Sequence, residues 1–443
     1  MVSLLLFGAT VIVAAPADTA RPAVLTLEQA LEIALSESPT VKIADMEVER
    51  VQFARKGTYA ALFPEINATG SFNRTLKKQV MTMDFGGVSQ SIEVGRWNTV
   101  NGGVSASMPL VNAQLWKSLE ISGQDVELAV EKARSSRLEM VNQVKQAYFG
   151  VLLAKEALGV YQSVYDNAVQ NLDLTQKKYN ASRASELDLA RAKTTVANAV
   201  PNLFNAENAI YLSLWQLKAV MGINLDADID VQDSLLVYSA DLQAANFNQD
   251  YSIEGNSSLR QLELQAQQLA NSIKVQKYAN LPSLALAASY TVNAMENELN
   301  FSEYDWHPYS YIALSLSIPI FSGGKRLNSI RQSQVQASQL ALQKENAERQ
   351  LHIAIRQSLS TMDTAVKSHE SALDALESAQ KAYDIAAKSY EVGRSTLTDL
   401  DAAQLALTQA RLAASQAIYN YLVAKAALES TIGADYTTEP AAK

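Results

Sequence analysis

The residues best placed to do chemistry are acids that occur twice. The stretch Ala181-Ser182-Arg183-Ala184-Ser185-Glu186-Leu187-Asp188-Leu189 returns, 211 positions later, as Val392-Gly393-Arg394-Ser395-Thr396-Leu397-Thr398-Asp399-Leu400. Asp188 and Asp399 hold the same place in the two copies, and Asp401 follows the second. Each pair of copies reads as a tight turn opening a helix. A carboxylate in the first turn of a helix meets the positive end of the helix dipole. That is electrostatic chemistry rather than catalysis. Nothing else in the chain supplies a reaction. Cysteine is absent, which removes thiolate metal sites, cysteine nucleophiles and disulfides. His307, His352 and His369 fall at no metal-ligand spacing. No GxxxxGK[ST] loop is present to cradle a nucleotide. The expectation is therefore a protein with no catalytic site, no metal and no cofactor, and not an enzyme. A formal net charge of −9 argues against a nucleic-acid partner.

The same shift of 211 carries Tyr179 to Tyr390 and Gly222 to Gly433. Upstream, Leu62-Phe63-Pro64 echoes Asn280-Leu281-Pro282, and Ser107-Met108-Pro109 echoes Ser317-Ile318-Pro319. The chain is an internally duplicated molecule, its period far longer than that of a solenoid repeat. From Val126 to Tyr179 apolar or aromatic residues recur in alternating steps of four and three, broken only by Arg137 and Thr175. The stripe recurs in the second half through Ile355, Met362, Ala365, Ala372 and Tyr390. Sustained 3.5-residue periodicity is coiled-coil packing. A helix of about 65 residues is roughly 100 Å long, more than a compact domain requires.

The periodicity predicts a first repeat over 18–222. It contains a β-hairpin at about 66–108, a long helix at about 112–179 and a return helix over 185–222. A connecting region spans 223–258. The second repeat, 259–433, has a hairpin at about 284–318, a long helix at about 325–390 and a return helix over 395–432. A tail follows at 434–443. Residues 1–17 read as a signal peptide, with an apolar run from Leu4 to Ala15 and a small-x-small cleavage site at Ala15-Pro16-Ala17. Pro109 is expected to end its strand.

In the last predicted strand Tyr311, Ala313, Ser315 and Ser317 alternate with Ile312, Leu314, Leu316 and Ile318. One face is apolar, the other small or polar, and about ten residues suit a tilted membrane-spanning strand. Trp97, Tyr304, Trp306 and Tyr309 near the strand ends read equally as an interfacial girdle or as loop anchors. Four strands leave open edges, which lipid does not tolerate. Two chains would close a barrel too narrow to conduct, and three would supply twelve strands. The alternative is a soluble periplasmic coiled-coil adaptor or scaffold, which explains the heptads but not the strands.

Tyr390-x-x-Gly393, Asp399-Leu400, Ala403-Gln404-x-x-Leu407, Ala410, Tyr419, Ala424, Leu428 and Gly433, with the joint Pro319-Ile320-Phe321-Ser322-Gly323-Gly324, resemble the TolC family of outer membrane efflux proteins over essentially the whole mature chain. The resemblance implies an α+β membrane protein: a homotrimer closing a twelve-stranded transmembrane β-barrel on a long α-helical barrel. It implies the outer membrane of a Gram-negative bacterium, with the helices extending into the periplasm. It also implies a passive duct of a tripartite efflux pump or type I secretion system. The implied partners are a periplasmic adaptor (membrane fusion) protein, an inner-membrane pump of RND or ABC type, and outer membrane lipid. The periplasmic entrance would be gated by Asp188, Tyr390, Arg394, Asp399 and Asp401, with Tyr390 bonding Asp188 and Asp399 forming a cation-attracting ring. Adaptor contacts would fall on Arg183, Ser185, Gly393 and Ser395. The chain departs from the family pattern at Ser395, where an arginine is usual, and at Ala402, where a second aspartate is usual.

Overall fold

A computed structural model describes residues 23–85, 88–243 and 251–434. The predicted signal peptide and almost all of the tail lie outside the described residues. In chain order the elements are β1 (Ala23–Leu25), α1 (Leu27–Glu37), α2 (Pro39–Ala60), β2 (Glu65–Arg74), β3 (Gln79–Phe85), β4 (Val88–Val94), β5 (Asn98–Val111), α3 (Ala113–Asn180) and α4 (Glu186–Met221). Next come β6 (Ile229–Val231) and α5 (Ser239–Gln243). The last are α6 (Ser257–Tyr278), β7 (Ser283–Glu296), β8 (His307–Ser317), α7 (Lys325–Glu391) and α8 (Leu397–Ile432). No described helix is long and apolar enough to cross a membrane.

The chain forms two compact units. One draws on the chain up to Lys42, Ser136–Asn256 and Leu351 onward; the other on Ile43–Ser135 and Ser257–Gln350. The first unit is helical around one core. Leu31 of α1, Val144, Tyr148 and Leu152 of α3, Leu217 and Met221 of α4, and Ile418 of α8 are buried in it. The heptad stripe is what places these α3 residues inward. The short parallel pair β1–β6 and α5 are held by side chains of the long helices. Tyr148 donates to Asp233 (2.8 Å) and Lys425 pairs with Asp241 (2.8 Å). Each return helix ends on a left-handed glycine pressed against the start of a shorter helix. A Cβ on Gly222 would lie 2.8 Å from the Cα of Ser38, and one on Gly433 would lie 2.0 Å from the Gly255 carbonyl. These helix ends admit no side chain.

The second unit carries an antiparallel sheet in the order β2-β5-β7-β8. Its register makes the two faces explicit. Ile312 pairs with Ala288, which pairs through Ala106 to Ile66; Leu314 pairs with Leu286 and on to Met108. The opposite face carries rows such as Tyr311–Ser289–Ser105–Asn67. The helical part of this unit is tied by Lys344–Glu263 (2.9 Å) and Gln276–Ser333 (2.7 Å).

Two findings differ from the sequence expectation. β5 continues through Pro109 to Val111, with a register shift between these two residues. β2 stops pairing at Ser107, so the ladder makes no demand on the missing proline N–H from that side. The polar stretch between β2 and β5 holds a second hairpin, β3–β4, forming its own two-stranded sheet. One face carries Met81, Met83, Ile92 and Val94 and the other Thr82, Asp84, Ser89, Ser91 and Glu93, an alternation of seven-residue strands that the polar surroundings obscure. Val80 on one face and Met81 on the other are both exposed.

Candidate functional site

The paired motifs form the ends of two helical hairpins, α3–α4 and α7–α8, both within the first unit. Each turn has the same backbone. Arg183 N–H donates to the Lys178 carbonyl (2.7 Å) and Ser182 N–H to Tyr179 (2.9 Å). In the second turn Arg394 N–H donates to Ser389 (2.8 Å) and Gly393 N–H to Tyr390 (3.1 Å). This double bond pattern places one residue in the left-handed region. That residue is Gly393 at φ 77° in one turn and Ser182 at φ 56° in the other.

The acids then start the return helices. Asp188 N–H donates to Ser185 Oγ (3.1 Å), and Asp188 Oδ2 accepts from the Ser185 amide (3.2 Å) and hydroxyl (2.7 Å). Asp399 does the same with Thr396, at 3.2, 3.0 and 2.7 Å. Both are capping boxes, each satisfying two otherwise free helix-end donors. The Ser185 and Thr396 hydroxyls hold the two carboxyls below the ordinary carboxylate range. Asp399 is exposed, as are Arg183 and Arg394. Ser395 is half-buried and donates to the Ala386 carbonyl (3.3 Å).

The expected Tyr390–Asp188 bond is not formed. Asp188 is engaged by its own cap, and Tyr390 points its hydroxyl at Thr175 Oγ1 (2.6 Å). The Thr175 hydroxyl donates to the Asn171 carbonyl (2.7 Å), so Tyr390 is the donor to Thr175. The Lys178 ammonium lies 3.9 Å from the Tyr390 ring centroid and also donates to the Tyr390 carbonyl. Tyr390 is buried with Ala192, Leu397 and Leu400, and that burial pushes its phenol up. Its repeat partner Tyr179 is 39% exposed. The duplication therefore holds in sequence and breaks in packing.

Asp401 does not join Asp399 at the exposed surface. It is half-buried against α4, with Oδ2 3.4 Å from the Thr195 hydroxyl. Burial raises its carboxyl, opposed by Thr195 and Arg191. Arg191 in turn reaches Thr398 at 3.4 Å. The sequence reading missed Thr175, Lys178, Arg191 and Thr195. For Thr175 a signal existed, because it is one of two breaks in the first-half apolar stripe. Among the described residues no group of three or more acids or histidines is arranged to hold a metal ion.

The family model described as outer membrane efflux protein matches residues 30–223 and 235–434, covering both repeats. The chain belongs to the outer membrane efflux protein family. The outer membrane protein TolC of Escherichia coli is 23% identical over 354 residues, 76% of this chain and 70% of that protein. The alkaline protease secretion protein AprF of Pseudomonas aeruginosa is 21% identical over 311 residues, 70% of this chain and 64% of that protein. The crystal structure of the Campylobacter jejuni CmeC outer membrane channel superimposes with a TM-score of 0.72 at 17% identity. It covers 92% of this chain and 85% of that one, which shows the shared fold. This efflux protein is an outer membrane channel reaching into the periplasm, and the soluble scaffold alternative is set aside.

Proposed function

We propose that three copies of this efflux protein form a passive exit duct, docked on a periplasmic adaptor and an inner-membrane pump of RND or ABC type. The observation that carries this reading is the four-stranded sheet. It has an apolar face and two outer edges, on β2 and β8, that no strand covers among the described residues. Open edges are not tolerated in lipid, so further copies must pair with them. Three copies close a barrel of about twelve strands, wide enough to conduct. The energy comes from the pump, and the channel itself catalyses no reaction.

The helical-hairpin ends serve as the periplasmic gate. Asp399 is the exposed acid that attracts cations, and Asp188 shapes the first turn beside it. Tyr390, clasped by Thr175 and Lys178, holds one hairpin to the other. Asp401 packs the return helices together rather than lining the passage. Arg183 and Arg394 present charge to the adaptor, and Ser185, Gly393 and Ser395 set the turns that display them. Native mass spectrometry of detergent-extracted protein, with planar-bilayer recording, tests the reading. Three chains per particle and a conducting pore are expected; a monomer that never conducts would overturn it.

A further inference from the structure

The sheet register assigns two tyrosines to a face that a strand-end position does not reveal. Tyr309 stands opposite Thr291, which stands opposite Gly103 and then Thr69. Tyr311 heads the row Ser289, Ser105 and Asn67. Both rows belong to the polar face. A ring in a lipid-boundary belt belongs on the apolar face instead, where Tyr290 stands in the row with Val104 and Ala68.

In a transmembrane barrel each strand alternates apolar residues toward lipid with polar residues toward the interior, so the polar face that carries these two rows is the lumen wall.

On that wall the Tyr309 and Tyr311 rings lie 5.8 Å apart with a 43° tilt, and they are 64% and 45% exposed. No charged side chain shares either row. Recognition here therefore runs through ring faces and the flanking hydroxyls of Ser289 and Thr291, not through charge. Aromatic faces attract other rings in offset or edge-on geometry. We propose that Tyr309 and Tyr311 form a ring-stacking subsite on the barrel wall for neutral aromatic solutes in transit. The proposal rests on the duct reading, and a trimer would carry three such pairs.

The test is single-channel recording of the reconstituted full-length protein with chloramphenicol, a neutral nitrobenzene, as probe and glucose as a ring without aromaticity. Chloramphenicol is expected to interrupt the current and glucose not to. In the Tyr309→Ala/Tyr311→Ala protein the interruptions should shorten roughly three- to tenfold, the range expected for losing ring contacts. Tyr309→Phe/Tyr311→Phe should retain most of the dwell time, and Tyr290→Ala on the opposite face all of it. Conducting channels that chloramphenicol does not interrupt, or dwell times unchanged in the double alanine variant, would overturn the subsite and leave the duct intact. Native protein with no conductance would overturn the duct and the subsite with it.

Discussion

Tyr390 is held from two directions, by a hydroxyl acceptor on Thr175 and an ammonium over its ring. Tyr390→Phe removes the first while leaving Thr175 bonded to Asn171, at a cost of about 1 kcal/mol in the contact between hairpins. The expected result is a higher resting conductance in planar bilayers, with chain assembly unchanged. Asp188 and Asp399 have depressed carboxyls. Such groups contribute stability above their ordinary range and lose it only as pH falls through the lowered folded value. Cation selectivity, read as reversal potential in a salt gradient, should therefore stay constant between about pH 7 and pH 5. Asp399→Lys should reduce or reverse it; an unchanged reversal potential removes Asp399 from the passage. Asp401 has the opposite sign. Its burial raises the carboxyl, so its charged form opposes folding at neutral pH and acidification relieves that opposition. Asp401→Asn should raise the melting temperature at neutral pH and lose that advantage as the pH falls to the raised carboxyl value.

At the scale of elements, the two hairpin turns share one hydrogen-bond pattern but not one residue. Ser182 occupies the left-handed position that Gly393 occupies in the other turn. An L side chain there costs roughly 1 kcal/mol. Ser182→Gly should stabilise the first hairpin by about that amount, visible as slower local hydrogen exchange around Asn180 to Ser185. Gly393→Ala should have the opposite effect on the second. The long helices were legible because their apolar stripe persists over many turns, and because each half repeats it. The β3–β4 hairpin was not, because its strands, though they alternate, are only seven residues each and lie inside a stretch of mixed polar composition. Pro109 misled for a related reason. Strand termination by proline depends on whether a neighbouring strand needs its N–H, and that neighbour is distant in sequence.

For the molecule as a whole, the sheet's two faces predict opposite tolerance to charge. Leu314→Arg places a cation on the apolar face, where mid-membrane burial costs about 2–4 kcal/mol, and should lower the amount of protein recovered in the outer membrane. Ser315→Arg, the next residue, faces the polar side and should insert normally while altering ion selectivity. Equal recovery of the two variants would contradict the assignment of faces. The β2 and β8 edges carry the same argument to assembly. Among the described residues no strand covers them, and in the proposed trimer further copies would.

What the sequence determined by itself is periodic. The duplication, the heptad stripe, the alternating strands and the positions of the turns are patterns that near neighbours impose, and they were sufficient to recognise the family. What tertiary structure alone decided is which equivalent residues remain equivalent. Tyr179 and Tyr390 read alike, yet one is exposed and the other is clasped by Thr175 and Lys178. Tyr309 read equally as a girdle residue or a loop anchor, yet strand register places it on the polar face of the sheet. The physical reason is the same in both cases. A residue's own spacing fixes its place on a helix or strand, but its partner is set by a segment up to some 215 positions away.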